Sequence, residues 1–156
     1  MTKTKDIMSK HLITINALDT MARACELMHS HNIRHLPVID DREKIVGILS
    51  DRDVQRAMDV QKINNFQQSL SMNADRKVED FMSWPVYMVS ESTSIEKVVE
   101  EMLAQKVSAF VVSDSLGRSR GIVTSDDLLS FLLTLIRKDK DIKLKPIAHY
   151  FLQGAF

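Results

Sequence analysis

Two heptapeptides in this chain share one pattern: GILSDRD at residues 47–53 and GIVTSDD at residues 121–127. They stand 74 residues apart. Shifted by that interval, residues 6–55 align with 80–129 without a gap, and 10 of the 50 pairs are identical. Many other pairs swap like for like, such as Ile15 with Val89, Arg23 with Lys97 and Ser50 with Thr124. An internal period of this length makes the chain a duplicated supersecondary unit, and any fold proposed for it must be built twice.

Each copy predicts the same order of elements. Residues 11–16 read as a short extended segment and 19–31 as a helix. Met21, Ala24, Cys25 and Met28 fall at i, i+3, i+4 and i+7, one apolar stripe, and Ile95, Val98, Val99 and Met102 repeat it. Asp19 or Thr20, and Thr93 or Ser94, are suitable helix N-caps. Two apolar runs follow in each copy, 36–39 and 45–49, then 110–112 and 121–123. The polar stretches DDREK and DSLGRSR split them, which predicts hairpins. A second helix starts near Asp51 and near Ser125. The fold class is therefore mixed α and β, two tandem β-α-β-β-α units packed with pseudo-two-fold symmetry. The boundaries expected are 1–58 for the first unit, 59–77 for a linker rich in Gln, Asn and Ser, 78–137 for the second unit and 138–156 for a tail.

Composition then narrows the function classes. Lys plus Arg and Asp plus Glu are both 21, giving a formal charge of zero. Such a chain has no overall basic field to grip nucleic acid. Cys25 is the single cysteine, so no internal disulfide forms. The start, MTKTKDIMSK, carries no apolar signal segment, and the apolar runs are far shorter than a membrane span. The expectation is a cytoplasmic protein without membrane partners.

The repeated motif supports two readings. Ser50 stands at a strand-to-helix junction and Asp53 in the first helical turn. The pair could simply cap the helix, where a carboxylate is favoured by the dipole. The same geometry could bind a ligand. An ionised Asp accepts both hydroxyls of a ribose diol, while the Ser or Thr hydroxyl and the free N–H groups of a helix start meet a phosphate.

The doubled unit, closed in each copy by glycine, two apolar residues, Ser or Thr and then Asp, resembles a pair of cystathionine β-synthase (CBS) domains. IRHLPVID followed by GILSDRD carries the likeness most clearly, and it covers residues 4 to about 136. The resemblance implies a disc with strands of both units in its core and two clefts between the units. It implies adenosine-containing ligands there: AMP, ADP, ATP or S-adenosylmethionine. It also implies a regulatory sensor that acts by ligand-dependent shape change, without catalytic activity or a catalytic cofactor. An adenosine nucleotide is then the regulatory ligand, and an unidentified effector protein reads the signal. The alternative is a dimerisation scaffold that binds no ligand.

Carried over by motif, one site joins Ser50, Arg52 and Asp53 to Val107, Ser108 and Ala109, with Val89 near the adenine. The other joins Thr124 and Asp127 to Arg34, His35 and Pro37, with Ile15 near the adenine. The sites are unequal. Arg52 can fork onto phosphate, whereas its counterpart Asp126 repels it, so the second site must draw positive charge from Arg34 and His35. Val111 stands where the family usually has Pro, which implies a looser base pocket at the first site.

The histidines of HSHNIRH have no acidic or Cys partner at a metal-ligand spacing, so no metal site is expected. No nucleophile–base pair or glycine-rich phosphate loop is present, and the chain is expected not to be an enzyme. The run LLSFLLTLI, 128–136, is apolar around most of a helix, and Ile147, Tyr150, Phe151, Leu152 and Phe156 follow. Large exposed apolar surfaces mark interfaces. The expectation is a two-fold homodimer built on that helix and tail, with Ile63, Phe66 and Leu70 contributing less.

Overall fold

The computed structural model describes residues 1–63, 67–72 and 76–138. The first unit contains β1 (Ile15–Asn16), α1 (Met21–His31), β2 (His35–Ile39), β3 (Ile45–Ser50) and α2 (Asp51–Arg56). After the hairpin described below (β4 and β5), the second unit contains β6 (Met88–Ser90), α3 (Ile95–Gln105), β7 (Ala109–Ser113), β8 (Ser119–Thr124) and α4 (Ser125–Lys138). Each unit forms its own three-stranded sheet, β1-β2-β3 and β6-β7-β8. In each, the first pair is parallel and the second antiparallel.

The duplication extends to backbone detail. Thr20 and Ser94 cap α1 and α3 by accepting from the N–H groups of Arg23 and Lys97. Asn32 and Lys106, an equivalent pair, end those helices in the left-handed conformation and turn the chain toward β2 and β7. Asp40 and Asp114 hold the two hairpin turns, each accepting two backbone N–H groups on one carboxylate oxygen. The helical stripes are buried as the spacing requires: Met21, Ala24 and Met28 in one core, Val98 and Met102 in the other. Cys25 is half-buried against the first core.

The residues expected to form a linker contain an element that sequence patterning did not foresee. Met58–Ile63 and Gln67–Met72 are strands β4 and β5, an antiparallel pair forming a separate two-stranded sheet. Met58 and Val60, and Leu70 and Met72, alternate with polar residues, but over only two apolar positions in each strand, too short a run to stand out in a stretch rich in Gln, Asn and Ser.

The segments that lead into each unit dock on the other. The 3-10 turn Thr4–Asp6 sits at the start of α3, where the Thr4 N–H donates to the Thr93 carbonyl (2.8 Å) and its hydroxyl donates to the same oxygen (2.9 Å). Its counterpart, Val78–Asp80, sits at the start of α1, with the Val78 N–H on the Asp19 carbonyl at 2.9 Å. Further along, Ser9 and Ile122 exchange backbone hydrogen bonds of 2.9 and 3.0 Å, and Ser83 and Ile48 do the same. The glycines of the repeated motif face these crossing leaders. A Cβ on Gly121 would press into the Ser9 carbonyl, and one on Gly47 into the Met82 side chain.

Candidate functional site

The two strand-to-helix junctions build matching constellations. Ser50 is the N-cap of α2: its hydroxyl accepts from the Asp53 N–H (3.4 Å), and Asp53 Oδ2 accepts from the Ser50 N–H and hydroxyl at 2.7 Å each. In the second unit Asp127 Oδ2 accepts from the Thr124 N–H (2.7 Å) and hydroxyl (2.8 Å). The capping reading of the motif is therefore what the hydrogen bonds show. One difference breaks the symmetry. Asp53 Oδ1 is held by the Arg56 guanidinium, whereas the counterpart of Arg56 is Ser130 and Asp127 Oδ1 has no hydrogen-bond partner among the described residues.

Each junction opens into a cavity between the units. The first, of about 290 Å³, brings Ser50, Arg52 and Asp53 of one unit to Val107, Ser108 and Ala109 of the other. Ile48, Val86, Trp84 and Tyr87 give it an apolar and aromatic wall, and Lys106 adds a cation. The second, of about 350 Å³, brings Thr124 and Asp127 to Arg34, His35 and Pro37, with Ile13, Ile33 and Ile122 as apolar walls. Flat apolar walls with a few polar groups are what a small organic ligand needs.

Two expected residues lie elsewhere. Ile15 is 2% exposed inside the first core, and Val89 packs against the second. Both have begun strand pairing, on β2 and β7, and pack into a core instead of lining a cavity. The residues that line the cavities from this segment stand two positions earlier, Ile13 and its counterpart Tyr87. The doubled pattern could have offered them, because both occupy the same register and both are large and apolar.

The charge expected from Arg34 is also already engaged. Arg34 forms a two-pronged ion pair with Asp126 across the units, with Nε 3.0 Å from Oδ2. The second cavity therefore contains its cation and its anion locked together. Arg52, by contrast, has no ion-pair partner among the described residues. Arg34 and His35 line both cavities.

His35 Nε2 is 2.8 Å from the Ser108 hydroxyl across the unit boundary. Burial pushes its pKa below the usual imidazole value, and Arg34 adds to that, while Asp51, Asp126 and Asp53 oppose it. A depressed imidazole in the folded state means that the unfolded chain binds more protons. Stability should therefore fall as pH drops below about 6.5, the unfolded value, and be unaffected by this group above it. Urea unfolding at several pH values should give a shallower acid slope for His35→Gln than for the parent, and equal slopes would show that the ring is not responsible. Among the described residues no three His, Cys, Asp or Glu side chains stand together as a metal site, and no helix is long and apolar enough to cross a membrane.

Comparison with known proteins agrees with this architecture. A family profile for the CBS domain matches residues 5–60 and 78–134. An inosine-5'-monophosphate dehydrogenase of Methanocaldococcus jannaschii is 32% identical over 127 residues, 81% of this chain but 23% of that enzyme. An L-aspartate semialdehyde sulfurtransferase of the same organism is 31% identical over 81% of the chain, which spans 22% of it. The chain thus spans under a quarter of the length of these enzymes. A CBS domain-containing protein of Dictyostelium discoideum is 30% identical over 85% of this chain and 92% of its own length. Among solved structures, a CBS domain pair in complex with 5'-methylthioadenosine and S-adenosyl-L-methionine superposes with a TM-score of 0.71 at 29% identity, covering 86% of this chain and 98% of that one.

Proposed function

We propose that this chain, which belongs to the CBS domain family, is a regulatory module that binds adenosyl ligands in its two interdomain cavities and signals by changing shape. The observation that carries this reading is the hydroxyl–carboxylate pair at each junction, set across an apolar wall supplied by the opposite unit. The carboxylate takes the ribose diol, the apolar walls take the base, and the helix start with Arg52 takes a 5' substituent. The solved relative that holds 5'-methylthioadenosine and S-adenosyl-L-methionine supports the ligand class. The units that close on the ligand are residues 1–58 and 78–137. No catalytic step is assigned to the chain, and in the enzymes it matches it corresponds to a minor part of the length. The signal passes to an effector protein in the cytoplasm.

A ligand bound only by the folded state adds about 2.7 kcal/mol at a hundredfold excess over its Kd, which is roughly 5–10 °C in Tm for a chain of this size. A thermal-shift panel of AMP, ADP, ATP, S-adenosylmethionine and guanine nucleotides should show that rise for at least one adenosyl compound. No shift from any of them would leave the scaffold reading in its place.

Assembly belongs to the same proposal. No residue of α4 is buried, and Leu129, Leu132, Leu133 and Ile136 form an exposed stripe at i, i+3, i+4 and i+7. Leu103 on α3 is 63% exposed. We assign this face to a two-fold homodimer. Residues 139–156, with the apolar positions of the tail, lie outside the described residues, as do the side chains of Ile63, Phe66 and Leu70. Sedimentation equilibrium should give twice 17.8 kDa, and Leu132→Glu with Leu133→Glu should return the monomer. A monomeric parent would defeat the assignment.

A further inference from the structure

The two cavities repeat in shape but not in charge. Asp51 lines the first, where its counterpart is the uncharged Ser125, and Lys10 and His11 line the second, where their counterparts are Trp84 and Pro85. The differences that bear on a 5' group are those at the helix starts and the facing segments. Where the first cavity has Arg52, the second has Asp126; where the first has Lys106, the second has Asn32; where the first has Ser108, the second has Arg34. In the first cavity Arg52 stands next to Asp53 in sequence at the start of α2 and is unpaired among the described residues. A free guanidinium there can take two phosphate oxygens at once. In the second cavity, Asp126 occupies the corresponding place on α4 and its two oxygens clasp Arg34. A phosphate entering there would meet a carboxylate and would have to pull Arg34 from it. Lys10 and His11 also line the second cavity, but they belong to the leader and not to the helix start.

Resting on the adenosyl reading above, we propose that the cavities divide ligands by the charge of the 5' group. The Ser50–Asp53 cavity takes 5'-phosphorylated adenosine. The Thr124–Asp127 cavity takes adenosyl ligands without phosphate, those with a neutral or cationic 5' substituent, and Asp126 is the residue that sets the choice. Asp127 keeps one carboxylate oxygen free of Arg, so a ribose in that cavity meets an unshared acceptor. Arg34 lines both cavities, so its commitment to Asp126 also removes a cation from the first and leaves phosphate recognition there to Arg52 and Lys106.

Isothermal titration of the full chain with ATP, AMP, S-adenosylmethionine and adenosine tests this directly. Arg52 is exposed and Asp126 is 52% exposed in its side chain, so substitutions at both positions leave the cores intact. The parent should bind one ATP and, independently, one S-adenosylmethionine per chain. Arg52→Ala should weaken ATP by at least about tenfold, the loss of one charge-assisted contact, and leave S-adenosylmethionine unchanged. Asp126→Asn frees Arg34 and should raise ATP stoichiometry from one to two. Two equal ATP sites in the parent, or ATP and S-adenosylmethionine competing for a single site in both parent and Asp126→Asn, would overturn the charge division while leaving the adenosyl reading standing. Absence of binding by all four compounds, adenosine included, would overturn the adenosyl reading and the division with it.

Discussion

Gly121→Ala should destabilise the protein by about 3 kcal/mol, at the upper end of what one extra carbon in a packed interior costs. The new methyl would press on the Ser9 carbonyl oxygen and stand 3.2 Å from Met8 Sδ and 3.3 Å from the Ser9 carbonyl carbon. That carbonyl is fixed, because it accepts from the Ile122 N–H while Ser9 donates back to Ile122. The backbone would have to separate, breaking the bridge between leader and sheet. Gly47 supplies the control. Its Cβ would meet only the Met82 side chain, with Cγ at 3.0 Å and Cβ at 3.2 Å, and a flexible thioether can turn aside. Gly47→Ala should cost about 1 kcal/mol. Urea midpoints measure both, and faster amide exchange at Ser9 and Ile122 in Gly121→Ala alone locates the damage. Equal losses at the two glycines would show that the leader yields as easily as a side chain.

The second large effect is expected at Asp53. Asp53 is 6% exposed, and its carboxylate accepts from the Ser50 N–H, the Ser50 hydroxyl and Arg56. Asp53→Ala should lower stability by about 2 kcal/mol, because it removes the N3 half of the capping box and leaves the Ser50 N–H without its acceptor, with little from Arg56, which is 66% exposed. The same change should weaken an adenosyl ligand at the first cavity by at least about tenfold, since up to two charge-assisted bonds to ribose are lost. Asp127→Ala removes the equivalent acceptor of the Thr124 N–H, with no arginine on it among the described residues, and should cost nearer 1 kcal/mol. Unfolding curves and titrations on the same samples separate the roles. If Asp53→Ala unfolds more easily but binds as the parent does, the residue caps the helix and nothing more.

The architecture was legible because it was written twice. A single GILSDRD is compatible with any capped helix, but the second copy fixed the period, and the period fixed the order of strands and helices. Helical stripes such as Met21, Ala24 and Met28 followed from spacing alone. What patterning did not reveal depends on relations between distant residues. That Arg34 meets Asp126, 92 residues away, could not come from local chemistry, and it reverses the expected role of Arg34 as a free cation. Ile15 and Val89 were placed beside the ligand by analogy of position, yet strand pairing sends them to the cores and leaves the cavity walls to Ile13 and Tyr87. The β4–β5 hairpin was hidden because its alternation is short, Met58 and Val60 in one strand and Leu70 and Met72 in the other, inside a stretch whose Gln, Asn and Ser content reads as a linker.

The crossing of the leaders has a consequence for either half taken alone. A chain of one repeat, cut before residue 76, begins with a leader whose sheet lies in the other repeat. It also presents a β3 edge, at Ile48, with no leader to pair with it. Such a half can complete its fold only by lending its leader to a second copy and borrowing one in return. In the present chain that exchange is made within one polypeptide, with the strands Met58–Ile63 and Gln67–Met72 lying between the two halves. Because each half is covered by a leader from the other and not by its own copy, the two halves need not match in sequence, and Arg52 and Asp126 are one equivalent pair where they do not.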